Sequence, residues 1–352
     1  MNKVLAIFLL FFLTIFQVKA ESHYKDFIVT DSYIWGLTSN GQIKLFNKTT
    51  GKPSDKKITN SSEIALLVKD KFGKAVIADK ENQIKKWSDE QNSWVVISKY
   101  EGEIYGIVFD SKNMGFAIFD KGIEDLITKK FYFTNKSLNH QINSKDKWGK
   151  PYCHFIDKNE VIWLGFGYGE WGGNLFAFQT KTKKFLDLSL GDFEIELNPI
   201  KSFFEDSNSV YISAGLQHMM TSGIIVRFDN LKATTIFNSE SHWSEPTGKD
   251  SIKTMIDGEY IGPTTYNSFN NSIYFYSQNG IFSGNLSKDL SKIENWKLVV
   301  KPTLHWKSGQ PNAVGSPMNV LKITIIDKDK FIFLSQNDGI GFFDNDKLTM
   351  IK

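Results

Sequence analysis

Cysteine is all but absent. Cys153 is the single one in 352 residues, so no intramolecular disulfide can form, and stability must come from an extensive apolar core. Cys153 lies in an apolar stretch, PYCHFID (Pro151–Asp157), and reads as a packing residue. Net charge is almost missing too: +3 over the whole chain, which removes the electrostatic case for nucleic acid or an anionic membrane. Basic runs such as Lys181–Lys184 are brief and fall in predicted turns. No histidine pair has HxH or HExxH spacing. The glycine run Gly165–Gly173 is followed by neither Lys-Ser/Thr nor a predicted helix, which excludes a phosphate loop.

Long apolar runs are limited to one. The chain opens MNKVLAIFLLFFLTIFQVKA, with Lys3 as a positive start, Leu5–Phe16 as an apolar stretch and Val18-Lys19-Ala20 as a small-x-small cleavage site. About a dozen apolar residues are too few to cross ~30 Å of hydrocarbon as a helix. The expectation is a signal peptide over 1–20, cleaved after Ala20, with no lipid attachment and no membrane insertion. The product is expected in the periplasm or outside the cell. Loss of Lys3 and Lys19 takes the formal charge from +3 to +1. Five Asn-x-Ser/Thr sequons (Asn47, Asn60, Asn135, Asn270, Asn285) matter only in a glycosylating host.

What is present is repetition. The stretch from Asp157 to Leu188, DKNEVIWLGFGYGEWGGNLFAFQTKTKKFLDL, reads as turn, strand, glycine-rich loop, strand, Lys/Thr turn and strand. Aligning each copy on the middle of its second strand picks out Ile34, Val76, Ala117, Ile162, Tyr211, Tyr274 and Ile332. The successive spacings, 42, 41, 45, 49, 63 and 58 residues, lie in or above the propeller range. Asp157, Asp206 and Asp327 hold equivalent places before their second strands, with Asn270-Asn271 close by in its copy. Asp and Asn cap tight turns through their own side chains.

The predicted architecture is all-β: a seven-bladed β-propeller with four antiparallel strands per blade. It forms one domain over 21–352, with blades near 25–60, 61–99, 100–135, 150–190, 198–238, 260–301 and 318–352. Lys57–Thr59 is the predicted fourth strand of blade 1, and Pro263–Tyr266 the first of blade 6. Ring closure removes the exposed edges of an open array. Both chain ends fall on copy boundaries, so closure is expected by packing of blade 1 on blade 7, without a swapped strand.

The segments DKNEVIWLGF, EDSNSVYISAG and DSYIWGLTSNGQIKLFN resemble the repeats of two-component-regulator propellers, whose units run Asp-x-x-Gly-x-Ile-Trp-x-Gly-Thr. The likeness covers blades 1, 4 and 5. The sequence departs at the turn glycine (Asn159, Asn208) and mostly lacks the Trp. The resemblance implies the propeller fold and carries no signalling-kinase role, because no transmitter segment is present.

Excess length is uneven. Between second and third strands it falls at Phe166–Asn174 and Gly215–Gly223; between blades, at Asn135–Tyr152, Asn238–Gly262 and Lys301–Asn319. In a four-strand blade all five positions lie on one face, here from the end of blade 3 through blade 7. Loops of this length are usually functional. They hold His140, His218, His242 and His305 and the tryptophans Trp148, Trp171, Trp243 and Trp306, with His154 following on a predicted channel-lining strand. The bland reading is that the aromatics pin long loops to the disc. The functional reading is a binding surface of Tyr168, Trp171, His218, Met219, His242, Trp243, His305 and Trp306, since large rigid rings anchor partners. The turn-rich loop Ser308–Asn319 would add contact.

These features predict a monomeric exported binding protein for a protein or peptide partner, such as an inhibitor, immunity or scaffold protein. A carbohydrate-active lyase or hydrolase using His154, Tyr168, Glu170 and His218, or a glycan-binding propeller, is the competing class. Cofactor and metal are both expected to be absent: four scattered histidines (His154, His218, His242, His305) lack ligand spacing.

Overall fold

A computed structural model of the protein describes residues 23–59, 62–139, 147–218, 220–240, 242–243, 255–256, 258–305 and 320–352. The expected signal peptide, residues 1–20, lies outside them. The chain forms seven blades of antiparallel strands in simple sequential order. The strands nearest the axis are Tyr24–Val29, Ile64–Lys69, Ile104–Phe109, Cys153–Ile156, Ile200–Glu205, Thr264–Asn267 and Val320–Asp327. From blade 1 to blade 7 each neighbours the inner strand of the next blade, and at the seam Tyr24–Val29 meets the second strand of blade 7, Lys330–Ser335.

Middle strands are buried on both faces, so they read as apolar runs rather than as an alternation. In blade 4, Val161, Trp163, Leu175 and Ala177 pack toward blade 5 against Ile200, Ile212, Ala214, Ile224 and Val226. The intervening Ile162, Leu164, Phe176 and Phe178 pack toward blade 3 with Phe116 and Ile118. Successive side chains point to opposite faces, so each strand serves two inter-blade cores.

One device sets the hairpin between first and second strands. The Oδ1 atoms of Asp70 and Asp110 each accept two backbone N–H bonds, from Phe72 and Lys74 (3.0 and 2.8 Å) and from Lys112 and Met114 (2.9 and 2.8 Å). Asp157 Oδ1 accepts from Val161 N (2.9 Å) and its Oδ2 from Trp163 Nε1 (3.0 Å). The fourth residue of the turn is left-handed: Gly73, Asn113 and Glu160, with φ of 77°, 62° and 63°. In blade 4 the strained residue is thus Glu160, one position after Asn159. Its carboxylate is held by the Ser111 hydroxyl and by Ser111 N at 3.2 Å. Asp206 acts in the same way through Asn208 N and Ser209 N, both at 2.7 Å. In blade 6 the capping residue is Asn267, which accepts from Phe269 N at 3.0 Å, while Asn271 is left-handed.

The ring closes by packing. Tyr24, Phe27 and Ile34 interleave with Ile332, Leu334, Ile340, Phe342 and Ile351. Lys322 Nζ donates across the seam to Asp26 Oδ1 and Phe27 O, both at 2.8 Å. Among the described residues no strand from one terminus joins the other's sheet.

Blade 1 departs from the expected fourth strand. Lys57–Thr59 is not a strand; a single bridge, Phe46 to Pro53, takes that place, with Ser54 N donating to Leu45 O at 2.9 Å. The turn after Asn47, capped by its own Oδ1, brings the chain back sooner, and Pro53 has no N–H to extend the ladder. In blade 6 the first strand is Thr264–Asn267. A small ribbon outside the seven blades, His242–Trp243 with Met255–Ile256, was not legible in the repeats.

Candidate functional site

The inner strands begin at the face that carries the insertions, so their first residues surround its mouth. The blade 4 insertion crosses that face as a tight turn. Tyr168 N donates to Gly172 O (2.8 Å), Gly173 N to Ile195 O (2.7 Å), and Asn139 Nδ2 to Trp171 O (2.9 Å). Gly172, with φ of 73°, lies so close to the next connection that a Cβ would fall 2.1 Å from Glu196 O. Glycine is therefore needed for close approach to residues 195–196. The turn presents Trp171 with 59% of its surface exposed, beside exposed Glu170. Tyr168 is half-buried, its ring 6.1 Å from Phe166, and burial pushes its phenol up to about 12.

Trp148 belongs to the core rather than to this rim. It is buried, stacks on Phe176 at 5.3 Å and donates from Nε1 to Thr134 O at 2.9 Å. Here the pinning reading holds.

The histidines are dispersed. His154 pairs with Leu164 across the ladder and so faces blade 3, where its ring lies against Gly106; a Cβ there would be 2.4 Å from His154 Cε1. Burial lowers its imidazole to about 4, against a smaller opposing effect of Asp26, and the ring is neutral at ordinary pH. His305 lies at the blade 7 end of the face. Its backbone N donates to Asp338 Oδ2 (2.8 Å), and its Nδ1 is 2.7 Å from Asp338 Oδ1, so the ring is fixed with Nε2 turned away from the carboxylate. His218 ends a hairpin strand and pairs with Met220, and His242 and Trp243 lie in the extra ribbon; their side chains are outside the described part of the structure. His140, Met219, Trp306 and the loop Ser308–Asn319 lie outside the described residues. Among the described residues no three His, Cys, Asp or Glu side chains are grouped to hold a metal ion.

One constellation was missed by reading the sequence. Cys153 pairs with Gly165 and so faces blade 5, opposite to His154. On that side Lys201, 8% exposed, places Nζ 4.9 Å from the Tyr152 ring centroid and 6.0 Å from that of Tyr260. Burial lowers the Lys201 ammonium to about 8, with a smaller opposing effect of Cys153; burial also pushes the Cys153 thiol and the Tyr152 phenol well up. Tyr260 is 1% exposed and its phenol is raised, by burial first and then by Tyr152 and Tyr276. Among the described residues its hydroxyl has no hydrogen-bond partner. The available signal was a lysine second in an otherwise apolar inner strand, Ile200-Lys201-Ser202-Phe203-Phe204.

Comparison with known proteins matches this architecture. No protein-family model and no curated protein matches the chain. Among solved structures, the extracellular domain of a one-component-system protein from B. thetaiotaomicron superposes with TM-score 0.55 at 12% identity, over 91% of this chain and 38% of that one. The extracellular domain of a hybrid two-component system from the same organism gives 0.51 at 13% identity, over 92% and 40%. U3-55K gives 0.55 at 10%, over 90% of both chains. The likeness is one of fold. It bears out the resemblance of the repeats to two-component-regulator propellers, and the chain spans about two-fifths of the length of those two extracellular domains.

Proposed function

We propose that this chain is an exported, monomeric binding protein that takes a protein or peptide partner on the insertion-bearing face of blades 4–7. The observation that carries the reading is Trp171: a large ring, 59% exposed, on a turn fixed at Asn139, Gly172 and Ile195. A rigid exposed Trp costs little ordering entropy on binding, which is the character of an interface anchor. His305, oriented by Asp338, adds a fixed polar group on the same face. The first twenty residues support export, and no helix among the described residues is long and apolar enough to cross a membrane. The fold likeness to extracellular domains agrees with a ligand-binding role outside the cytoplasm.

A glycan is the second reading, favoured by the pairing of exposed Trp171 with Glu170 on one turn. The lyase or hydrolase reading is weaker. His154 faces blade 3 within the ring, whereas Glu170 sits at the tip of an exposed turn. Affinity capture from native envelope extract tests the proposal, with the Trp171→Ala, Trp306→Ala double variant as control. A protein recovered by the native chain and lost by the variant supports it; identical recovery refutes the chosen face.

A further inference from the structure

Trp171 is not the only large apolar side chain displayed on the insertion face. Leu197, on the connection from blade 4 to blade 5, is 58% exposed. The two come from segments clamped to each other: Gly173 N donates to Ile195 O at 2.7 Å, and a Cβ on Gly172 would sit 2.1 Å from Glu196 O. Trp171 and Leu197 are the chain neighbours of that close contact. Leu197 is held out by a turn of its own. Its N donates to Glu194 O (3.2 Å), Asn198 N to Ile195 O (3.3 Å) and Asn198 Nδ2 to Glu194 O (2.8 Å). Phe193 and Ile195 root this turn in the core between blades 4 and 5. Single exposed apolar residues are ordinary, whereas two on mutually bonded turns make a patch. A backbone already fixed loses little freedom on binding.

Resting on the proposed binding role of this face, we infer that the Trp171–Leu197 patch takes a cationic amphipathic segment of the partner, an apolar side chain flanked by Lys or Arg. Charge decides the occupant. Glu170 precedes Trp171, Glu196 precedes Leu197 and Glu194 opens its turn; all three are exposed. Among the described residues no ion pair engages Glu194 or Glu196. Neither segment carries a compensating base: positions 159–180 and 185–200 contain no Lys, Arg or His. The whole chain is +3, so this is a local excess of the opposite sign. Such a rim repels acidic segments and fixes the register of basic ones. The Trp171 ring adds a face for a Lys or Arg cation. A glycan could stack on Trp171, but its hydroxyls would gain nothing from covering Leu197.

The test is fluorescence anisotropy on the native chain with three dye-labelled decapeptides: one built of Lys, Leu and Phe, one with Glu in place of Lys, and one with Ser in place of Leu and Phe. The first should bind saturably, and each of the others about tenfold more weakly or not at all. The advantage of the Lys peptide over the Glu peptide should shrink at about 0.5 M salt. Leu197→Ser should weaken the Lys peptide by about tenfold. The double change Glu194→Gln, Glu196→Gln should weaken it by about threefold to tenfold. All three residues are exposed, so these variants keep the fold. Glu90→Gln, an exposed acid of blade 2, should leave affinity native. Equal binding of Lys and Glu peptides, no binding at millimolar concentration, native affinity in Leu197→Ser or in the double variant, or an equal loss in Glu90→Gln overturns the inference. Capture of the native partner reads the face separately. Loss in Trp171→Ala with full capture by Glu194→Gln, Glu196→Gln keeps the face and strikes only the cationic partner; capture indifferent to Trp171 strikes the face itself.

Discussion

In blade 2, Asp79 is completely buried and its acceptor sites are used. Oδ1 takes N–H bonds from Glu81 and Gln83, both at 3.0 Å, and Oδ2 takes the Ser62 hydroxyl at 2.8 Å and Lys85 Nζ at 2.5 Å. Its backbone carbonyl accepts the buried Tyr100 hydroxyl at 2.6 Å. Burial alone would raise this carboxyl, yet Lys85, Ser62 and the backbone together hold it below the usual range. Across the ring, in blades 5 and 6, buried Tyr260 and half-buried Gln217 each keep a buried polar atom with no hydrogen-bond partner among the described residues. The same four-strand plan thus yields one half-ring whose polar atoms are spent on structure and another that holds some in reserve. Insertions, exposed Trp171 and orphan groups all fall in the second.

The contrast can be broken experimentally. Asp79→Asn should cost about 3–5 kcal/mol in urea unfolding, because it removes the nearer of two carboxylates facing buried Lys85, at 2.5 Å against 3.9 Å for Glu81; a loss under 1 kcal/mol would mean that the network is not structural. His154 gives the next largest effect. Its folded value of about 4 lies below the ordinary 6.5, so the unfolded chain binds the extra proton in between. Stability should therefore be full above about pH 6.5 and fall by roughly 2–3 kcal/mol toward pH 4. His154→Gln should flatten that part of the pH profile, and an unchanged slope would contradict the assignment.

Two conservative changes then sharpen the comparison. Tyr100→Phe removes a bonded buried hydroxyl and should cost about 1–2 kcal/mol, whereas Tyr260→Phe removes an unbonded one and should be neutral or slightly stabilising. Equal costs would erase the difference between the half-rings. Trp171→Ala should have the smallest effect on stability, within about 0.5 kcal/mol, since the ring packs on little. A larger loss would return Trp171 to the pinning role that Trp148 plays.

Much of the fold was legible because middle strands with two buried faces appear as apolar runs bounded by Asp turns, and seven such units stay in phase. Blade 1's outer strand was not: Lys57–Thr59 looks extended in sequence, while the Asn47 turn, acting through a few local hydrogen bonds, returns the chain earlier. The turn departure was placed at Asn159, but left-handed φ falls on Glu160, which only the Asp157 hydrogen-bond register reveals. In the blade 4 insertion, glycine-rich spacing was enough to expect a turn that exposes Trp171. Lys201 carries no motif, and its aromatic neighbours come from two other blades, so only the closed ring brings them together. For Trp148 the sequence left pinning and binding both open, because loop membership says nothing about which loop aromatics turn inward.

The central claim is that the elaborated half-ring, not the plain one, meets the partner. Binding of the captured partner should be compared for Trp171→Ala with His305→Ala and for Phe72→Ser with Val96→Ser, the latter pair being exposed apolar residues of blade 2. The account predicts at least tenfold weaker binding for the first pair, about 1.4 kcal/mol, and native affinity for the second. Native affinity in the first with loss in the second would contradict it.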